Sequence, residues 1–381
     1  MLFKNGLVFL LEEKGFAKRD ILVEDGKIVE IEESINGQDS LNCEGKYIMP
    51  GLIEAHSHIG LLETGIGWEG SDGNEMTSPI TPGLRAIDAI NPFDVAFKEA
   101  LEGGVTVACT GPGSANVIGG QFSIIKFQGT VVEDMIIKER AAMKCAFGEN
   151  PKRVYGKASK VPMTRMGIAY LLRKALTDAT NYKLKKEKAV VDGDKFFQVD
   201  LDMEALQPVI NGEIPLKAHV HRADDICTVI RIAKEFNLKL TLDHCTEGFL
   251  ITDYIKAQGY PAIVGPSFGA KGKVETRNKG FKNVRVLNDA GIKVAITTDH
   301  TVTPQHSLIM CAALAVKEGL SEFDALKAVT INPAEILGIE DIKGRLKVGM
   351  DADIVLWSDN PLNLQARAEK VFIEGKEVFS L

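Results

Sequence analysis

Short apolar runs open the chain. Leu7-Val8-Phe9-Leu10, Ile21-Leu22-Val23 and Lys27-Ile28-Val29-Glu30-Ile31 read as strands, and Glu24-Asp25-Gly26 is a turn signal between the last two. The same style returns near the end. Asp353-Ile354-Val355-Leu356-Trp357 and Lys370-Val371-Phe372-Ile373 read as strands, with Glu374-Gly375-Lys376 as a tight turn. Strand-rich ends around a different middle predict one small β-sandwich domain built from both termini, residues 1–48 and 344–381.

The middle alternates strand and helix periods. Gly51-Leu52-Ile53 is an apolar strand, and residues 92–102 carry apolar positions at helical spacing until Gly103-Gly104 stops them. Val105 to Cys109 then reads as a buried strand. Helical 224–236 precedes a strand at 238–242, and 281–290 leads through Gly291 into a strand at 293–297. Such alternation predicts an α/β fold with a parallel sheet under covering helices. With 381 residues there is room for a (β/α)8 TIM barrel, residues 49–343, of the usual roughly 250 residues plus a side domain. Residues 164–213 read as a helical insertion, and the charge run at Lys183 to Lys188 as a solvated helix end.

Composition narrows the function. Hydrophobic residues make up 45% and charged residues 25%, enough for a large core. A net charge of −7 leaves no basic footprint for nucleic acid. The six cysteines form no C-x-x-C pair, and most lie in apolar runs where a free thiol acts as a small hydrophobe. The first residues have no signal-peptide character, and no apolar run reaches the roughly 18 residues of a membrane span. A cytoplasmic enzyme with a small-molecule substrate and no nucleic-acid or membrane partner is expected. A homo-oligomer is the default state.

The chemistry concentrates at strand ends. His56-Ser57-His58 follows an apolar strand, and residues i and i+2 of a strand share a face, so both imidazoles point one way. Two imidazoles make half a site for zinc or a similar cation. His219, His244 and Asp299 each end a further apolar stretch, at the rim where barrel enzymes place their chemistry. Lys144 lies inside Ala142-Met143-Lys144-Cys145-Ala146-Phe147, where a lysine is unfavourable unless paired or altered. A deprotonated lysine can take up carbon dioxide to give a carbamate, a carboxylate-like metal ligand. The bland alternatives are a snorkelling lysine or an ion pair with Glu149, and Glu149 is itself a second candidate for the anionic bridge. His221, two residues after His219 on the same face, is a catalytic candidate expected to contact substrate or support the ligands, with an ordinary hydrogen-bonded rim histidine as the alternative. Glu149, Arg153 and Arg222 are candidate substrate contacts, with Lys152 beside them; ordinary surface cations are the competing reading. The glycine-rich run from Thr110 to Gly120 lacks the Gly-Lys-Ser/Thr ending of a nucleotide loop and reads as a tight rim loop.

Three segments together resemble the amidohydrolase superfamily. Residues 48–58, Ile-Met-Pro-Gly-Leu-Ile-Glu-Ala-His-Ser-His, are similar to its opening signature, with Glu54 in place of the commoner aspartate. Thr330 to Gly338 and Gly344 to Val355 resemble the helix and the return to the small β-domain. The resemblance covers nearly the whole chain and points to the imidazolonepropionase and prolidase-like branch. It implies one or two divalent cations, zinc first and manganese or iron as alternatives. His56 and His58 would hold the buried cation, Lys144 would be the carbamylated bridge, and His219 and His244 would hold the second. Asp299 would ligate the buried cation and carry protons. A metal-dependent hydrolase cleaving a C–N bond of an amide, cyclic amide or dipeptide by metal-activated hydroxide follows. A deaminase on the same scaffold would carry a glutamate three residues after His219, where this chain has Arg222; a non-catalytic scaffold would lack ligands that are present here.

Overall fold

The computed structural model describes residues 1–37 and 40–381. Five strands come first: β1 (Leu2–Leu10), β2 (Gly15–Glu24), β3 (Lys27–Glu32), β4 (Ser40–Asn42) and β5 (Tyr47–Pro50). Eight more follow: β6 (Leu52–Ser57), β7 (Val105–Thr110), β8 (Ile118–Lys126), β9 (Ile136–Ala146), β10 (Leu216–Val220), β11 (Leu240–His244), β12 (Ala262–Val264) and β13 (Val294–Ile296). The last three are β14 (Ile354–Trp357), β15 (Ala368–Ile373) and β16 (Lys376–Ser380).

The first five and last three strands share one hydrogen-bonded sheet, in the order β16-β15-β14-β5-β1-β2-β3 with β4 also paired to β1. This mixed sheet from both termini fits the expected small β-sandwich. Its own core includes Phe3, Ile21, Ile28, Ile48, Ile354 and Phe372, and the Phe3 and Phe372 rings meet edge to face at 5.1 Å. Residues from opposite chain ends therefore bury each other's apolar surface.

The other eight strands run in chain order around a nearly closed TIM-like barrel, β6 to β13. Strands β6, β7, β10 and β11 are buried at every position, as expected of strands covered on both faces. One expectation fails. Strand β8 is antiparallel to both β7 and β9. The physical reason lies in its connections. Strand β7 ends at Thr110 and β8 begins at Ile118, while β8 ends at Lys126 and β9 begins at Ile136. Neither link is long enough for a helical crossover of a dozen or more residues, so both strands return as hairpins.

The seam between β13 and β6 is closed by side chains. The buried Glu54 carboxylate accepts from Thr298 N at 2.9 Å, Thr298 Oγ1 at 2.6 Å and His56 N at 3.2 Å. Thr297 Oγ1 donates to His56 O at 2.8 Å. The stretch between β9 and β10 contains helices Glu149–Lys157, Arg165–Asp192 and Leu201–Ile210. No helix among the described residues is long and apolar enough to cross a membrane.

Candidate metal centre

Strand β6 delivers His56 to the barrel mouth, with His58 just beyond it. Strand β10 delivers His219, with His221 just beyond it, and β11 ends at His244. Asp299 follows β13. His244 and Asp299 both have left-handed backbones, at φ 71° and 52°. Such conformations cost of order 1–3 kcal/mol in a residue that is not glycine, and they cluster at functional sites.

These side chains form two groups. One ligand atom each from His56, His58 and Asp299 lie within 4.8 Å of one another, and so do atoms of His219, His221 and His244. The groups adjoin: the His56 and His244 ring centroids are 5.1 Å apart. Asp299 Oδ1 is 3.4 Å from His56 Nε2 and 3.3 Å from His58 Nε2.

Outer partners fix which nitrogen each ring offers. His56 Nδ1 donates to Asp243 Oδ2 at 2.6 Å, His58 Nδ1 to Gly111 O at 2.6 Å, and His244 Nδ1 to Gly265 O at 2.6 Å. All three therefore present an unprotonated Nε2, the state a cation requires. His221 Nδ1 pairs with Thr246 Oγ1 at 2.7 Å. His244 Nε2 is buried with no hydrogen-bond partner among the described residues. Gly265 is needed at its position: its φ is +142°, and a Cβ there would lie 2.0 Å from Thr297 O.

Burial holds the imidazoles neutral. It drives the His56, His219 and His244 pKa values well below the ordinary 6.5, aided by Lys144, and drives His221 down to about 4. Asp299 Oδ1 faces the Nε2 atoms of both His56 and His58, so its carboxylate is the anionic donor of that group. A set of neutral imidazoles plus an ionised carboxylate, all aimed at common points, fits a divalent cation such as zinc, manganese or iron.

Lys144 is 1% exposed, with Nζ 3.2 Å from His56 Nε2 and 5.4 Å from the Phe122 ring centroid. Burial lowers its pKa to about 8. Beneath it the barrel interior is polar. Lys217, opposite Lys144 in the β9–β10 register, lies 3.2 Å from Asp243 Oδ2, the oxygen that also holds His56.

A cavity of about 360 Å³ opens above both groups, lined by His58, Asn150, His219, His221, Lys273 and Asp299 among others. The sequence reading gives His221 a substrate-facing role; the structure puts it in the same ligand group as His219 and His244. Glu149, Arg153 and Arg222 do not line the cavity. Arg222 is held by Asp224 at 2.9 and 2.8 Å, and Glu149 contributes its backbone N–H to the neighbourhood rather than its carboxylate. Two lysines line the cavity instead, Lys273 and Lys279, and Lys273 Nζ donates to Asn150 Oδ1 at 2.6 Å. His300 is buried beside Asp299, and neither ring nitrogen has a partner among the described residues. Sequence reasoning missed Asp243, Asn150, Lys273 and Glu275. Only Asp243 left a signal, as a charge within the apolar stretch Leu240-Thr-Leu.

Comparison with known proteins agrees with this geometry. The amidohydrolase family model matches residues 130–378. The chain is 30% identical over 394 residues to amidohydrolase tasK of Hapsidospora irregularis, covering 94% of this chain but only 40% of that protein. It is 22% identical to the imidazolonepropionase of Thermoplasma acidophilum, over 97% of this chain and 88% of that one. The crystal structure of an amidohydrolase from Thermotoga maritima MSB8 superposes with a TM-score of 0.97 at 44% identity, with full coverage of both chains. This chain belongs to the amidohydrolase family.

Proposed function

We propose that the protein is a metal-dependent hydrolase that cleaves a C–N bond in an amide, a cyclic amide or a dipeptide. The observation that carries this reading is the pair of adjoining three-ligand groups under one cavity. Bound divalent cations, zinc first, would supply an acidified water and a Lewis acid for the carbonyl oxygen. The chain's own residues supply the rest. Asp299 faces both the His56–His58 pair and the cavity, and so is placed to accept the water's proton and return it to the leaving nitrogen. Asp243 and the Gly111 and Gly265 carbonyls hold three imidazoles in the ligating tautomer.

Lys144 is assigned as the carbamate. Its neutral amine attacks carbon dioxide, an N–C bond forms and one proton leaves, giving an anion beside His56. A pKa of about 8 supports this, because it raises the neutral fraction far above that of a solvated lysine. Lys273, one of two lysines lining the cavity, takes the substrate-carboxylate role for which Arg153 and Arg222 are candidates on sequence. The matches to proteins named imidazolonepropionase and dihydroorotase support placement near the imidazolonepropionase and prolidase-like branch. Arg222, tied to Asp224 where a deaminase would carry its glutamate, favours hydrolysis over deamination. A cytoplasmic setting suits the six unpaired cysteines, Cys43, Cys109, Cys145, Cys227, Cys245 and Cys311.

The test is metal analysis of the purified protein together with hydrolysis of an amide, cyclic-amide and dipeptide panel by wild type and Asp299→Asn. Bound metal, turnover of one class and a loss of about 100-fold or more in the variant are expected. Full activity in the variant removes the proton-transfer role, and ammonia release from an aminated ring would favour the deaminase.

A further inference from the structure

Between β12 and the helix Lys282–Asp289, the chain makes a single tight turn at Val274–Thr276. It carries Glu275 into the protein. The surrounding segment is polar and charged, yet Glu275 is only 2% exposed. A buried carboxylate in such a segment needs a partner, because leaving an ionised group unpaired away from water is costly.

The partners of its two oxygens differ. Oε2 accepts from Glu149 N at 2.7 Å. Gly148 makes that approach possible: its φ is +82°, and a Cβ there would lie 2.5 Å from Oε2. The carboxylate is thus held from behind by backbone. Oε1 is buried with no hydrogen-bond partner among the described residues. It lies 3.8 Å from His219 Nε2, 4.0 Å from His221 Nε2 and 3.9 Å from Lys273 Nζ. The free oxygen therefore faces two members of the three-histidine group.

We propose that Glu275 is a fourth protein ligand of the cation held by His219, His221 and His244. The inference rests on the hydrolase reading for the presence of metal, and it adds a carboxylate from a loop that none of the site motifs include. Three imidazoles and one carboxylate make an N3O donor set suited to zinc and similar cations. Separations near 4 Å between donor atoms need only a small contraction around a common ion at about 2.0–2.2 Å from each. The two centres then differ in kind. Leaving the Lys144 carbamate aside, one has four protein donors, while His56, His58 and Asp299 give the other three.

The test is metal stoichiometry by elemental analysis, with cobalt(II) titration read by visible absorption, on wild type, Glu275→Gln and Glu149→Gln. Glutamine keeps an oxygen for Glu149 N, and circular dichroism and thermal unfolding of the metal-free proteins check that each variant folds. The proposal predicts that wild type and Glu149→Gln bind two equivalents. It predicts that Glu275→Gln binds one of them at least tenfold more weakly, with a changed cobalt spectrum. Two equivalents bound equally well by Glu275→Gln, with an unchanged spectrum, overturn the proposal and leave the hydrolase reading standing. Equal loss in Glu149→Gln also overturns it, since that side chain lines no part of the cavity. A wild type that binds no metal overturns both readings.

Discussion

Lys217 Nζ and His56 Nδ1 converge on one oxygen of Asp243, at 3.2 Å and 2.6 Å, with all three side chains at most 1% exposed. Beneath the candidate metal centre the barrel interior therefore holds a buried ionic contact. Its effect is directional: Asp243 accepts the His56 Nδ1 proton and leaves Nε2 free on the side of Asp299.

Asp243→Asn should disturb that direction, because an amide can offer a donor where the carboxylate only accepts. Metal affinity should fall about 10–100-fold, the usual cost of losing such an outer partner. Titration of the metal-free variant with zinc against a chromophoric chelator measures it; unchanged affinity would show that His56 is positioned by other means.

Lys217→Met should act on stability. Removing one partner of a buried ion pair leaves an uncompensated charge, at a cost of about 3–5 kcal/mol. Urea denaturation of the metal-free proteins should show a lower midpoint for the variant with an unchanged slope. Equal midpoints would mean that Asp243 does not depend on this lysine.

Bicarbonate should promote metal uptake by wild type and have no effect on Lys144→Met, if the Lys144 amine is where carbon dioxide adds. The readout is zinc bound after reconstitution in carbon dioxide-free buffer, with and without added bicarbonate. An identical bicarbonate response in both proteins would exclude Lys144 as the reactive amine.

Glu54 should make stability fall with rising pH across a defined window. Burial raises its pKa from 4.5 to about 7, against the hydrogen bonds from Thr298 that favour the charged form. Between those values the folded protein holds a proton that the unfolded chain has released. Its contribution is most favourable below about pH 4.5 and is lost as pH rises to about 7. Glu54→Gln removes this linkage. The stability of the variant relative to wild type, measured without metal, should therefore rise from pH 4 to pH 8 by an amount on the order of 3 kcal/mol. A difference that does not vary with pH would show that folding leaves the Glu54 pKa unshifted.

Much of this site was legible in the sequence because its residues break local rules. His56 and His58 stand at i and i+2 where a strand ends, Lys144 interrupts an apolar run, and His219, His244 and Asp299 each end one. The structure brings all six to one barrel mouth. The hidden parts have no such contrast. Glu275 is one charge among several in a polar segment, and only tertiary contacts show it buried. Arg222 reads as a substrate clamp until Asp224, two residues on, is seen to hold it. The reversed direction of β8 was readable only in its short links, since its apolar pattern does not distinguish parallel from antiparallel. The sheet from both termini was visible as strands, but the pairing of β14 with β5 joins segments some 300 residues apart, beyond any local signal.

Anomalous diffraction at the zinc edge, from crystals of the zinc-reconstituted protein, tests the central claim most directly. The account predicts two peaks, one among His56, His58 and Asp299 and the other among His219, His221 and His244. No peak at either position in protein saturated with zinc would contradict it.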